Sequence, residues 1–159
     1  MGFLRDRAES QLAVDKLLDF LIDRGYTAHE LEGKKEQKSG DIRFYLDGNL
    51  DSPMDIEVKF DKMSKRTGNM CFELANKKGM TGIASTLADR VAYVCPVKDG
   101  FDVFLFVTSE LKDFLYNTEN KNKVKMKNGG DGNRFLLALV KIDTIISEAL
   151  FIERWKIDA

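Results

Sequence analysis

The sequence predicts an α/β or α+β protein built around a central sheet. Three observations carry that expectation. The chain opens with an amphipathic helix, several runs then alternate apolar and polar residues, and further helical patterns interleave with those runs. A length of 159 residues, 43% apolar content and 11 Phe give enough material for one packed domain over 1–159.

Residues 7–24 read as the first helix, with Leu12, Val14, Leu17, Leu18, Leu21 and Ile22 at helical spacing and Gly25 as its stop. "YTAHEL" is a short strand, and "EGKKEQKSG" a polar loop without period. "DIRFYL" and "MDIEVKF" alternate, so they form a hairpin across the turn-rich "DGNLDSP". "KMSKRTGN" is a basic loop, "MCFEL" a short strand, and "KKGMTGIASTLA" a weak helix or irregular turn. "RVAYVCPV" and "DGFDVFLFVT" form a second hairpin, with Asp99 and Gly100 at its turn. "SELKDFLYN" is a helix with Ser109 as the candidate cap. "KNKVKMKNGGDGN" reads as a loop or hairpin tip and "RFLLALVKI" as a strand. "DTIISEAL" is a short helix capped by Asp143, and the tail with Trp155 packs back on the core.

Composition narrows the chemistry. Cys71 and Cys95 form no CxxC pair, and His29 is the only histidine. A zinc site or a Ser-His-Asp hydrolase is therefore disfavoured, and any metal would be held by oxygen ligands, which suits magnesium or manganese. No apolar run is long enough to span a membrane, and the start is too polar for a signal peptide, so a cytoplasmic protein with no membrane partner is expected. The net charge is −1, but it is unevenly spread. Residues 30–61 hold nine acids against five bases, whereas 62–80 and 121–134 each hold five bases against one acid. An acidic centre between basic segments fits a metal site beside a polyanion, and solvated loops would give the same counts.

The chemistry centres on "DIEVKFDK". In a strand Asp55, Glu57, Lys59 and Asp61 share one face, and Ile56, Val58 and Phe60 share the other. Asp41 opens the preceding strand 16 residues before Glu57. Two adjacent strands thus bring two carboxylates to one point with an ammonium beside them. Such a pair can hold a magnesium ion, and the lysine can orient a water. A solvated strand face is the plain alternative.

"GD", a hairpin and then "E-V-K" resemble the PD-(D/E)XK nuclease superfamily, which includes restriction enzymes, archaeal Holliday junction resolvases and phage nucleases. The resemblance runs from about residue 9 to 96, and Gly40 stands where the family name has proline. It implies a restriction endonuclease-like core, a central mixed β-sheet flanked by helices, with a helix between the E-V-K strand and the next one. It implies a metal-dependent DNA endonuclease, structure-selective in the manner of a Holliday junction resolvase and suited to a phage or mobile element. Asp41, Glu57 and Lys59 would be catalytic. Asp41, Glu57 and the Val58 backbone carbonyl would hold Mg2+, with Mn2+ as a substitute and Glu9 as an auxiliary ligand through water. DNA contacts would come from Lys62, Lys65, Arg66, Thr67 and Asn69. Gln37, Ser39, Asp55 and Glu73 are accessory candidates, each with a plain solvated or structural alternative. A homodimer fits, because cutting a duplex with one small site calls for two copies. The competing reading is a catalytically inactive nucleic-acid-binding or assembly module on the same fold.

Overall fold

The computed structural model describes residues 2–32, 40–45, 51–129, 132 and 134–159. The elements run α1 (Gly2–Asp23), β1 (Thr27–Glu30), β2 (Ile42–Tyr45), β3 (Pro53–Phe60), α2 (Ser64–Thr67), β4 (Asn69–Asn76) and β5 (Gly79–Met80). They continue with β6 (Arg90–Val97), β7 (Gly100–Val107), α3 (Thr108–Tyr116), β8 (Val124–Gly129), β9 (Phe135–Lys141), α4 (Ile142–Ser147) and β10 (Glu153–Asp158).

Among the described residues the strands form two sheets. The larger has the order β1-β2-β3-β6-β7-β10 and the smaller β5-β4-β9-β8. In the larger sheet every neighbouring pair is antiparallel except β3 and β6, which run parallel. The protein is therefore mixed α/β, with a mixed sheet at its centre.

Strand alternation divides the core in two. On β6, Ala92 and Val94 turn toward α1, and Val91, Tyr93 and Cys95 turn toward the smaller sheet. On β7, Val103 and Leu105 face α1, and Phe104 and Phe106 face the other way. α1 covers its face with Ala13, Val14, Leu17 and Leu21. Burying a side chain such as Leu17 is worth about 1.5–3 kcal/mol, so this helix is held by packing rather than by propensity. Leu12 and Ile22 do not belong to that stripe; both are exposed.

The second face differs from the expected flanking helices. The β3–β6 connection holds a single helical turn, α2, followed by β4, β5 and a 3-10 turn at Gly82–Ala84. Met70, Phe72 and Leu74 alternate inward from β4, so this segment buries its apolar residues as a strand. α3 and α4 add Leu111, Leu115 and Ile145 to the same core.

The run from residue 121 read as a loop or hairpin tip contains a full strand, β8, which pairs antiparallel with β9. Neither expected helix cap forms. Val107 and Lys141 occupy the N-cap positions of α3 and α4 without a side-chain cap bond, and Ser109 and Asp143 lie inside the first turns. The tail forms β10, with Trp155 buried against Phe20. Cys71 and Cys95 are free thiols, and His29 is exposed beside Tyr45. No helix among the described residues is long and apolar enough to cross a membrane.

Candidate active site

β3 organises the site. Ile56 and Val58 enter the core beneath α1, which leaves Glu57 and Lys59 on the opposite face. The Lys59 ammonium lies 3.0 Å from the Glu57 carboxylate. The Glu57 side chain keeps 18% of its exposure and the Lys59 side chain 35%, so the pair is recessed yet reachable.

Asp41 joins three strands. Its N–H donates to the Ile56 carbonyl at 2.8 Å, and its carbonyl accepts from the Leu31 N–H at 2.8 Å. Its Oδ2 accepts from the Val58 N–H at 2.7 Å. The β2–β3 register sets Ile42 opposite Ile56, which brings Asp41 level with Glu57. In a strand, N–H and C=O of one residue point to the same edge, so the Val58 carbonyl also faces the Asp41 side.

Burial pushes the Asp41 carboxyl up to about 6. The Val58 N–H opposes that rise, the Glu57 charge adds to it, Lys59 offsets part of it and Glu30 adds again. A carboxyl perturbed by burial and by a neighbouring carboxylate is a mark of functional sites, although structural networks produce it too.

Gly40 sets the approach of the chain to Asp41. Its φ is +138°, and a Cβ there would sit 2.8 Å from the Ile56 carbonyl oxygen. Proline, with φ fixed near −65°, cannot take this position. Gly40→Ala is expected to cost about 1–3 kcal/mol and to lower the melting temperature by several degrees. Urea unfolding checks this, and an unchanged midpoint would show that the backbone is not held as described.

The other candidates divide. Glu73 lines a hollow with Lys59, Cys71, Tyr93 and Leu137, between the end of β3 and the edge of β4. Asp55 is taken up by Arg43, which holds it at 2.8 and 3.1 Å across the β2–β3 pair, and its N–H donates to Asp89 at 3.0 Å. Asp61 leaves the charged face, because β3 ends at Phe60. It is buried and accepts from the N–H groups of Met63, Ser64 and Cys71 at 3.2, 3.0 and 3.1 Å, tying α2 to β4. Glu9 on α1 is held by Arg5 at 3.1 Å and Lys62 at 3.2 Å. Lys62 also reaches Asp6 at 3.0 Å, so its ammonium is already engaged. Thr67 donates to the Met63 carbonyl and accepts from the Asn69 N–H, which makes it a turn residue. Lys65 and Arg66 are exposed on α2 and make no ion pair with a described residue. Gln37 and Ser39 lie outside the described residues.

Glu30 is a neighbour that sequence reasoning missed. It ends β1 opposite Ile42, and Gln11 on α1 donates to it at 2.9 Å. An acid at the end of a short strand carries no motif; only the register of β1 on β2 reveals it.

Among the described residues no three His, Cys, Asp or Glu side chains gather closely enough to hold a metal ion by themselves. The sequence matches no protein-family model and no curated protein.

Proposed function

We propose that residues 1–159 form one nuclease domain of the PD-(D/E)XK type, which hydrolyses DNA phosphodiester bonds in the presence of a divalent metal. The observation that carries this reading is the half-buried Asp41 carboxyl set level with the Glu57–Lys59 pair, its pKa displaced upward by partial burial and by Glu57. The β1-β2-β3 meander with β6 parallel to β3 supports a restriction endonuclease-like core. The second sheet on the far face departs from the helices that the family implies.

The donor set suits magnesium, which takes one or two carboxylates and keeps several waters. Asp41, Glu57 and the Val58 carbonyl would hold it, and manganese would substitute. When bound, the ion lowers the pKa of a water and neutralises charge on a phosphoryl oxygen. Asp41 needs its free oxygen for this, since Oδ2 already accepts from Val58. Lys59, held by Glu57, would orient the attacking water and meet the developing charge. Glu9, occupied by Arg5 and Lys62, could contribute only through water.

Lys65 and Arg66 would contact phosphates beside the candidate site. A homodimer would present two sites to two strands, and the small size favours reading of DNA structure over a long sequence, as in a junction resolvase. The test is a cleavage assay on labelled single-stranded, duplex, flapped and four-way DNA, with magnesium, manganese or chelator. Cutting that requires metal is the expected result. Binding of the panel with no cutting in any metal would favour the inactive binding module.

A further inference from the structure

We propose that the outer face of the second sheet is a phosphate-backbone track that leads duplex nucleic acid to the candidate site. The inner face of this sheet is core, formed by Met70, Phe72, Val124, Ala138 and Val140. Strand alternation turns the intervening residues outward. The register sets Glu73, Leu137 and Lys127 in one cross-strand row and Cys71, Leu139 and Lys125 in the next. Asn69 and Lys141 pair one row further on.

Lys125, Lys127 and Lys141 are exposed and make no ion pair with any described residue. Glu73 is the one acid in these rows. The charges of Glu73 and Lys127 both act on the Cys71 thiol, which places them over one patch. Along β8, Lys125 and Lys127 stand about 6.8 Å apart, about twice the axial rise per phosphate of one DNA strand.

The face is continuous with cationic ground at both ends. Beyond Lys127, Lys77, Lys78 and Arg134 border a second hollow with Asn76 and Phe135. At the Lys141 end, the Ile142 N–H donates to the Gly68 carbonyl at 2.9 Å, which anchors the turn carrying Lys65 and Arg66. Glu73 and Leu137 belong both to the sheet face and to the hollow that Lys59 enters. A strand of DNA on this face therefore runs past the candidate catalytic lysine.

The chemistry favours a duplex. Single-strand binders stack bases on rows of aromatic side chains. The outward residues here are Lys, Leu, Cys71, Glu73 and Asn69, with the aromatic Phe135 at the far end. Lysines also guard exposed edge strands against pairing, and β8 is an edge. A guard and a track respond differently to neutralisation.

The proposal rests on the nucleic-acid reading of the candidate site, and the experiment separates the two. A labelled duplex is titrated by fluorescence anisotropy in chelator, where no cutting occurs, over a range of salt. Wild type is compared with Lys125→Gln/Lys127→Gln and with Lys98→Gln/Lys156→Gln, which removes the same charge from exposed positions on β10 and at the β6–β7 turn. The track pair is expected to lose roughly tenfold or more in affinity near 0.1 M salt and to lower the log–log salt slope by about 2. The control pair is expected to match wild type. Equal losses in both pairs, or none in either, overturn the track. If wild type still cuts the duplex with metal, the nuclease reading survives that result. Tighter binding of single strands than duplex, lost in the track pair, overturns the duplex assignment. Failure of wild type to bind any nucleic acid at low salt overturns both readings.

Discussion

Glu57→Gln and Asp41→Asn are each expected to reduce metal-dependent cleavage by about a hundredfold or more while leaving duplex binding in chelator within a few fold of wild type. Both substitutions keep shape and remove one negative charge. A glutamine at position 57 would still accept from the Lys59 ammonium, which now sits 3.0 Å from the carboxylate. An asparagine at position 41 would still accept from the Val58 N–H, which now donates at 2.7 Å. The strands that carry the site therefore keep their bonds, and the change falls on the charge that a divalent ion requires. Lys59→Met should lose cleavage too, without loss of metal binding, because its role is toward the water and the phosphoryl oxygens. A single-turnover assay on the preferred DNA of the panel measures all three variants. Wild-type rates in either carboxylate variant would remove Asp41 and Glu57 from the chemistry and leave them as a polar strand face.

The parts of the fold that were legible in the sequence are those where burial follows a simple pattern. β6 and β7 are buried on both faces, so they read as apolar runs, and the Asp99–Gly100 turn bounds them within a residue or two. β2 and β3 are buried on one face and follow from alternation, and with them the shared position of Asp41, Glu57 and Lys59. β8 was not legible, because Val124 is its one buried residue and the strand otherwise shows solvent Lys125, Met126, Lys127 and Asn128. An edge strand with a single core contact has no alternation to read. The cap residues were misplaced for a geometric reason. β7 runs directly into α3 and β9 into α4, so the last strand residue fills the cap position and the polar residue falls one or two places inside. Asp61 looked like a fourth charge on the β3 face, but the strand stops one residue earlier and three N–H groups claim its carboxylate. The position of Glu30 depends on a long-range register that no local pattern specifies.

Asp41→Asn is expected to stabilise the protein above pH 6 even as it removes activity. The carboxyl has an ordinary value of 3.8 and is raised to about 6 in the fold, first by burial. Well below its ordinary value it is protonated in both folded and unfolded chains and contributes no difference. As pH rises from about 4 to 6, the unfolded chain ionises first, and wild-type stability falls by roughly 2–3 kcal/mol. That deficit persists at neutral pH. The asparagine keeps the bond from Val58 and carries no charge to desolvate, so the variant avoids the loss. Its advantage in chelator should be absent near pH 3.5 and reach roughly 4–10 °C in melting temperature by pH 7. Asp61, whose carboxyl is also raised by burial, is present in both proteins and cancels in the comparison. A pH-independent difference would show that Asp41 is not held at such a cost. Magnesium supplies the second half of the argument. An ion that binds the folded carboxylates stabilises by mass action and favours the ionised form. Added magnesium should then raise the wild-type melting temperature and leave Asp41→Asn nearly unmoved, narrowing or reversing the gap between them. A gap insensitive to magnesium would mean that the strained carboxyl serves the strands it joins rather than a metal.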